Sequence, residues 1–121
     1  MAKPHVLTID DEPRIVEMLA EVLKGEGYRV STATSGEQGL RIYDEDKPDL
    51  VLLDVMMPGM NGFEVLKALR EKGDVPVIML TGHADLTDVL EDQMDEVPDS
   101  YISKPTSREQ LLTTIKFFMP R

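Results

Sequence analysis

Short apolar runs alternate with longer segments of helical period along this chain, and the alternation repeats five times. The runs are Val6 to Ile9, Tyr28 to Thr32, Leu50 to Leu53, Val75 to Leu80 and Tyr101 to Ser103. Several lack polar alternation, as strands buried on both faces do. Between them, Pro13 to Lys24 carries Ile15, Leu19, Val22 and Leu23 on one helical face, with Pro13 suited to a first turn and Gly25 to a C-terminal stop. Ser35 to Glu45 is a weaker helix: Ser35 is its N-cap, but Gly36 and Gly39 each cost about 1 kcal/mol relative to Ala, so packing has to hold it. Asn61 to Lys72 turns Phe63, Leu66 and Leu69 inward, and Gly73 follows where a left-handed residue is expected. A fourth helix, Asp85 to Glu96, shows Leu86, Val89, Leu90 and Met94. A fifth, Ser107 to Met119, opens on the capping-box pattern Ser107-Arg108-Glu109-Gln110 and presents Leu111, Leu112, Ile115 and Phe118 to a core.

Five such units joined by right-handed crossovers predict an α/β fold, a doubly wound five-stranded parallel sheet with five helices in a three-layer sandwich. No linker or low-complexity tract interrupts the 121 residues, so residues 1–121 read as a single domain, with no output domain in this chain. A chain of this size buries roughly two-thirds of its unfolded surface without disulfides. Five units are too few for an eight-stranded barrel, and no G-x-G-x-x-G follows the first strand.

Composition then narrows the chemistry. The net charge of −10, from 23 acidic and 13 basic residues, repels phosphate and argues against direct nucleic-acid binding by this chain, whereas cations are natural ligands. With no Cys, disulfides, thiolate metal sites and cysteine nucleophiles drop out. No stretch reads as a signal peptide or a membrane span, and a cytoplasmic location is expected.

The remaining signal lies at the strand ends, where an open α/β sheet keeps its chemistry. The first run ends in Asp10-Asp11, the third in Asp54, the fourth in Thr81-Gly82 and the fifth in Lys104-Pro105. Two unit charges about 4 Å apart repel by about 4 kcal/mol at an effective dielectric of 20, so three carboxylates brought together need a positive partner. A hard divalent ion suits all-oxygen ligands, and Mg²⁺ takes one or two carboxylates while leaving positions for a phosphate oxygen. Asp54 is placed to attack a phosphoryl group and form an aspartyl phosphate. Lys104 adds a point charge, the Thr81 hydroxyl and the backbone N–H groups around Gly82 can donate to phosphoryl oxygens, and Gly82 leaves room for the group to enter. Singly, each of these residues is an ordinary cap, turn or solvated charge. Their joint placement at four strand ends is what carries the functional reading.

With Asp10-Asp11-Glu12, Asp54-Val55-Met56-Met57-Pro58-Gly59-Met60-Asn61-Gly62, Thr81-Gly82 and Lys104-Pro105, the chain resembles a receiver domain of a two-component response regulator over essentially its whole length. The resemblance, to chemotaxis receivers among others, implies a flavodoxin-like strand order 2-1-3-4-5. It further implies that a sensor histidine kinase, a phosphotransfer protein or a small acyl phosphate phosphorylates Asp54. Mg²⁺, or Mn²⁺ in its place, would be held by Asp11, Asp54 and the main-chain carbonyl of Met56, with Asp10 on a metal-bound water. Thr81 and Lys104 would contact the phosphoryl group, and Tyr101 would turn inward behind Thr81. Met56 and His83 would flank the path of a hydrolytic water. The face of the predicted fourth helix, fifth strand and fifth helix would be read by an output domain or effector, or pair in a phosphorylation-dependent homodimer. To carry a population from 1:99 to 99:1 the phosphoryl group must favour the active state by about 5.5 kcal/mol. Hydrogen bonds to charged groups contribute about 1.5 to 3 kcal/mol each, so contacts from Thr81 and Lys104 supply much of that.

Two departures touch the reading face: the family's usual Gly-Ala step before strand five is Val97-Pro98-Asp99-Ser100 here, and Thr106 follows Pro105. Pro98 lacks a backbone donor, so the fourth helix is expected to end before it. A metal-dependent aspartyl-phosphate phosphatase usually carries a second acid two residues after its nucleophile, where this chain has Met56. A phosphoacceptor with slow self-dephosphorylation, and no separate substrate, is therefore expected rather than an enzyme. The alternative is a degenerate receiver acting as a phosphate-independent protein-interaction module.

Overall fold

The computed structural model describes residues 3–55, 57–82, 97–103 and 107–119. Five strands, β1 (His5–Ile9), β2 (Arg29–Ala33), β3 (Leu50–Asp54), β4 (Val77–Thr81) and β5 (Ser100–Ser103), form one sheet in the order β2-β1-β3-β4-β5. Every neighbouring pair is parallel. Four helices accompany them among the described residues: α1 (Pro13–Gly25), α2 (Gly36–Glu45), α3 (Gly62–Lys72) and a C-terminal helix (Arg108–Phe118). The expected fourth helix, Asp85 to Glu96, lies outside the described residues.

The strand period of two divides the core into two layers. Leu7, Ile9, Val51, Leu53, Val77 and Met79 face α2 and α3, where they meet Tyr43, Phe63, Val65, Leu66 and Leu69. Val6, Leu50, Leu52, Ile78, Leu80 and Ile102 face α1 and the C-terminal helix, against Leu19, Leu23, Leu111, Leu112 and Ile115. β1, β3 and β4 are buried at all five positions, which is why their sequence shows no polar alternation. Each buried Leu, Ile, Val or Phe contributes about 1.5–3 kcal/mol, and the resulting sheet is stiff.

Local signals set most helix starts. Pro13 occupies the first turn of α1. Ser35 accepts a hydrogen bond from the Gln38 N–H at 3.1 Å, and Ser107 accepts one from Gln110 at 3.0 Å. At α3 the cap is Asn61, whose side chain accepts from the Glu64 N–H at 3.0 Å while Glu64 accepts from the Asn61 N–H at 3.0 Å. That reciprocal pair satisfies two otherwise orphaned donors. The α2 glycines are explained by packing, since a Cβ at Gly36 would stand 2.7 Å from Val65 Cγ2 and one at Gly39 would strike the Ile9 side chain.

Three expectations need correction. Gly25 does not stop α1 but is its last residue, and the left-handed turn falls on Gly27, with φ 92°. Gly73 ends α3 in an extended conformation, φ 163° and ψ −165°, so no left-handed residue is needed there. The buried face of α1 is Val16, Leu19, Ala20 and Leu23, with Ile15 and Val22 flanking it.

The lead-in to β5 is held by a clamp. The Asp99 carboxylate accepts from the Val77 N–H at 2.7 Å and from Arg70 Nη2 at 2.9 Å, and Arg70 Nη1 donates to the Val75 carbonyl at 2.6 Å. The Asp99 N–H in turn donates to the Val77 carbonyl at 2.9 Å. Pro98, which is buried, has no N–H to offer a ladder, and the Asp99 side chain supplies the acceptor that Val77 needs.

At the opposite edge of the sheet, beside the start of β2, Arg29 and Asp46 form a two-point ion pair, with Nη2 donating to Oδ1 at 3.1 Å. The Arg29 hydrogen bond holds the Asp46 carboxyl below the usual carboxylate range, and the more distant His5 adds to the effect.

Replacing Asp99 by Ala leaves the Val77 N–H without its side-chain acceptor and Arg70 with only the Val75 carbonyl, and should lower stability by about 1–3 kcal/mol. The urea midpoint will fall with little change in slope. A wild-type midpoint would mean that water replaces the carboxylate at no cost. For Asp46, the folded-state pKa lies below the unfolded one, so its stabilisation is fully present above the unfolded carboxylate pKa and is lost as pH falls through the folded value. Carbon-detected NMR titration should find Asp46 titrating below an ordinary Asp in the wild type and returning toward it in Arg29→Ala.

Candidate metal and phosphoryl site

The site is assembled where β1 and β3, neighbours in the sheet, reach their C-terminal ends. The register Thr8 to Leu52 and Ile9 to Leu53 brings the next pair, Asp10 and Asp54, side by side. Both carboxylates project on the same side as Thr8 and Leu52, because side chains alternate along a strand. Asp10 is 2 % exposed and Asp54 7 %, whereas Asp11 is open to solvent.

Backbone and side-chain bonds fix the acids. The Asp10 N–H donates to the Ala33 carbonyl of β2 at 3.1 Å, and Asp10 Oδ1 accepts from the Glu12 N–H at 3.0 Å. This local turn carries the chain into α1 with Asp11 at its outer corner. After Asp54, the Val55 N–H donates to Leu80 of β4 at 3.3 Å and its carbonyl accepts from the Gly62 N–H at 2.8 Å. The loop between them turns at Gly59, with φ 81°. It is therefore closed at its base and anchored on two strands.

Among the described residues, Asp10, Asp11 and Asp54 form a group whose carboxylate oxygens lie within 4.8 Å of one another. At such a separation each charged pair repels by about 3–4 kcal/mol at an effective dielectric of 20. The donor set is all oxygen, compact and partly solvent-open. That matches the preference of Mg²⁺ for a few carboxylates with remaining positions left to water and phosphate, so the residues fit the ion.

Thr81 closes β4, is 5 % exposed and lies opposite Ser103 of β5. Gly82, next to it, is exposed. Tyr101 pairs with Met79, two register pairs behind Thr81, and packs half-buried against the α2–α3 core. Thr81 and Tyr101 thus lie on one side of the sheet, as a linked pair would require. Three predicted site residues, Met56, His83 and Lys104, lie outside the described residues, as does Pro105. Ser103, the last residue of β5, places the chain before Lys104 at this same edge of the sheet.

Gly62 was not assigned a role from the sequence beyond its place in the motif. A Cβ on it would stand 2.5 Å from the Asp54 carbonyl oxygen, 2.8 Å from Val55 Cα and 2.7 Å from Met79 Cε. No local signal reveals this, because Gly62 begins α3, and among the described glycines only Gly27 and Gly59 adopt the left-handed φ that marks a glycine position.

The comparisons with known proteins agree with this geometry. Residues 6–116 match the family model of the response regulator receiver domain. The DNA-binding response regulator MtrA of Mycolicibacterium smegmatis is 40 % identical over 114 residues, covering 94 % of this chain and 50 % of that protein. The chain thus spans about half the length of the curated relatives it matches. Chemotaxis protein CheY4 of Vibrio cholerae superposes with a TM-score of 0.89 at 31 % identity, covering 98 % of this chain and 100 % of that one. Response regulator TrrA of Thermotoga maritima, solved in complex with Mg²⁺-BeF, gives a TM-score of 0.86 at 35 % identity over 96 % of this chain and 99 % of its own. Family match, fold and acid cluster converge: this chain belongs to the response regulator receiver domain family.

Proposed function

We propose that this receiver accepts a phosphoryl group on Asp54 from a sensor histidine kinase, a phosphotransfer protein or a small acyl phosphate. The observation that carries the reading is the convergence of three carboxylates within 4.8 Å, an arrangement whose repulsion a bound cation relieves. An Asp54 carboxylate oxygen forms the new bond to phosphorus as the P–N bond of phosphohistidine, or the P–O bond of an acyl phosphate, breaks. The leaving imidazole or carboxylate keeps the electron pair, and the phosphoryl group keeps its three outer oxygens. Mg²⁺, or Mn²⁺ in its place, supplies charge neutralisation at the developing phosphoryl oxygens. Asp11, Asp54 and the Met56 carbonyl would hold it, with Asp10 acting through a water.

The chain's own groups do the rest. Burial of Asp54 fixes its line of attack, and the closed Val55 to Gly62 loop keeps the mouth at constant width. Gly82 admits the phosphoryl group, whose charge of roughly −1.5 to −2, by analogy with phosphoserine, draws the Thr81 hydroxyl and Lys104 inward. Tyr101 follows into the space behind Thr81, and the β5 face changes for an output domain, an effector or a second copy. No separate substrate is turned over. A cytoplasmic location is part of this reading. Among the described residues, no helix is long and apolar enough to cross a membrane. The acid cluster, once assembled, favours this reading over a phosphate-independent interaction module.

Intact mass after incubation with acetyl phosphate should rise by one phosphoryl group with Mg²⁺ present. EDTA and the Asp54→Asn substitution should each abolish the gain. Absence of any gain in the wild type, with beryllofluoride also failing to bind, would leave the interaction-module reading standing. Once phosphorylated, the wild type should hold its phosphoryl group longer than a Met56→Asn, His83→Glu double variant, which admits water. A roughly tenfold faster loss, about 1.4 kcal/mol in barrier, is expected. Equal lifetimes by acid-quenched mass measurement would remove both residues from control of hydrolysis.

A further inference from the structure

Resting on that reading of Asp54, we infer that Gly62 is a positioning residue for the phosphoryl and metal site, acting through the backbone of Asp54 rather than by touching the ligand. Its lack of a side chain serves space and not φ. The three atoms nearest a Cβ there are the Asp54 carbonyl oxygen at 2.5 Å, Met79 Cε at 2.7 Å and Val55 Cα at 2.8 Å. Two of the three are backbone, and backbone in a five-stranded sheet cannot turn aside as a side chain does. The Gly62 N–H donates to the Val55 carbonyl at 2.8 Å, so helix and strand end are already in contact and have no slack. The Asn61–Glu64 capping box sets the first turn of α3 and so the height at which Gly62 meets the strand.

A methyl group at position 62 therefore moves the peptide that carries Asp54, while Asp10 and Asp11, held on β1 by Ala33 and Glu12, stay in place. The acids fall out of mutual register. Both cation affinity and the attack geometry of Asp54 depend on that register, and neither depends on Gly62 in any other way.

Gly36 supplies a matched control. A Cβ there also meets atoms at 2.7 Å and 3.0 Å, but these are Val65 Cγ2 and Met60 Sδ, both side chain. Gly62→Ala and Gly36→Ala are compared at a temperature where each is folded. The readouts are the phosphorylation rate at saturating acetyl phosphate and Mg²⁺, and Mn²⁺ affinity by water-proton relaxation. Gly62→Ala should lose about tenfold or more in the saturated rate, since a misplacement of an ångström costs up to about a hundredfold, and should bind Mn²⁺ more weakly. Gly36→Ala should match the wild type in both, whatever its loss of thermal stability. Asn61→Ala, which loosens the cap without adding bulk, should shift both readouts the same way by a smaller factor and serves if Gly62→Ala does not fold.

Equal effects of the Gly62 and Gly36 substitutions would reduce Gly62 to a packing role, and a wild-type rate with wild-type Mn²⁺ affinity in Gly62→Ala, or in Asn61→Ala where it stands in, would overturn the inference. If the wild type itself takes up no phosphoryl group, the proposed function fails, while the Mn²⁺ measurement still decides whether Gly62 sets the acid cluster.

Discussion

Three carboxylates held against their own repulsion are the constraint on which this structure turns. Left on a flexible chain, Asp10, Asp11 and Asp54 would separate, because each pair at the observed spacing costs about 3–4 kcal/mol when charged. They stay together because β1 and β3 are bonded neighbours in register, and both strands are buried on both faces. The apolar layers thus set a charge arrangement that water alone would disperse. A cation then gains from that arrangement without first having to gather its ligands.

The same sheet explains why the site is open. β1 feeds α1, which packs on one face with the C-terminal helix, and β3 leads into α3, which packs on the other face beside α2. The two loops leaving the adjacent strand ends therefore diverge, and a crevice remains between them over the acids. This is the topological switch point of a doubly wound sheet. Thr81, Gly82 and the end of β5 lie at the C-terminal ends of the next two strands beyond β3, on the side of the acids away from β2.

The lead-in to β5 shows how a departure from family pattern is accommodated. Pro98 has no backbone donor; the Asp99 N–H next to it donates to the Val77 carbonyl, and the Asp99 carboxylate accepts from the Val77 N–H while pairing with Arg70. Strand β5, which carries Tyr101, is thereby tied to α3 and β4 through a side chain. The tie sits at Asp99, immediately before β5 begins at Ser100.

Much of this was legible in the amino-acid sequence. Unbroken apolar runs mark β1, β3 and β4 because burial on both faces admits no polar position. Pro13, Ser35 and Ser107 mark helix starts because their effects are local to one turn. The acids, Thr81 and Lys104 stand out because each follows a run at the same kind of place. The tertiary structure decided what depends on residues far apart in the chain. It chose Val16 and Ala20 over Ile15 and Val22 as the inner face of α1, carried α1 through the expected stop at Gly25 to a left-handed residue at Gly27, and left Gly73 extended. It joined Asp99 to Arg70 and set Gly62 against the Asp54 backbone. Periodicity and capping act within a few residues and can be read in order, whereas steric contact and ion pairing between elements exist only after the strands have taken their places in the sheet.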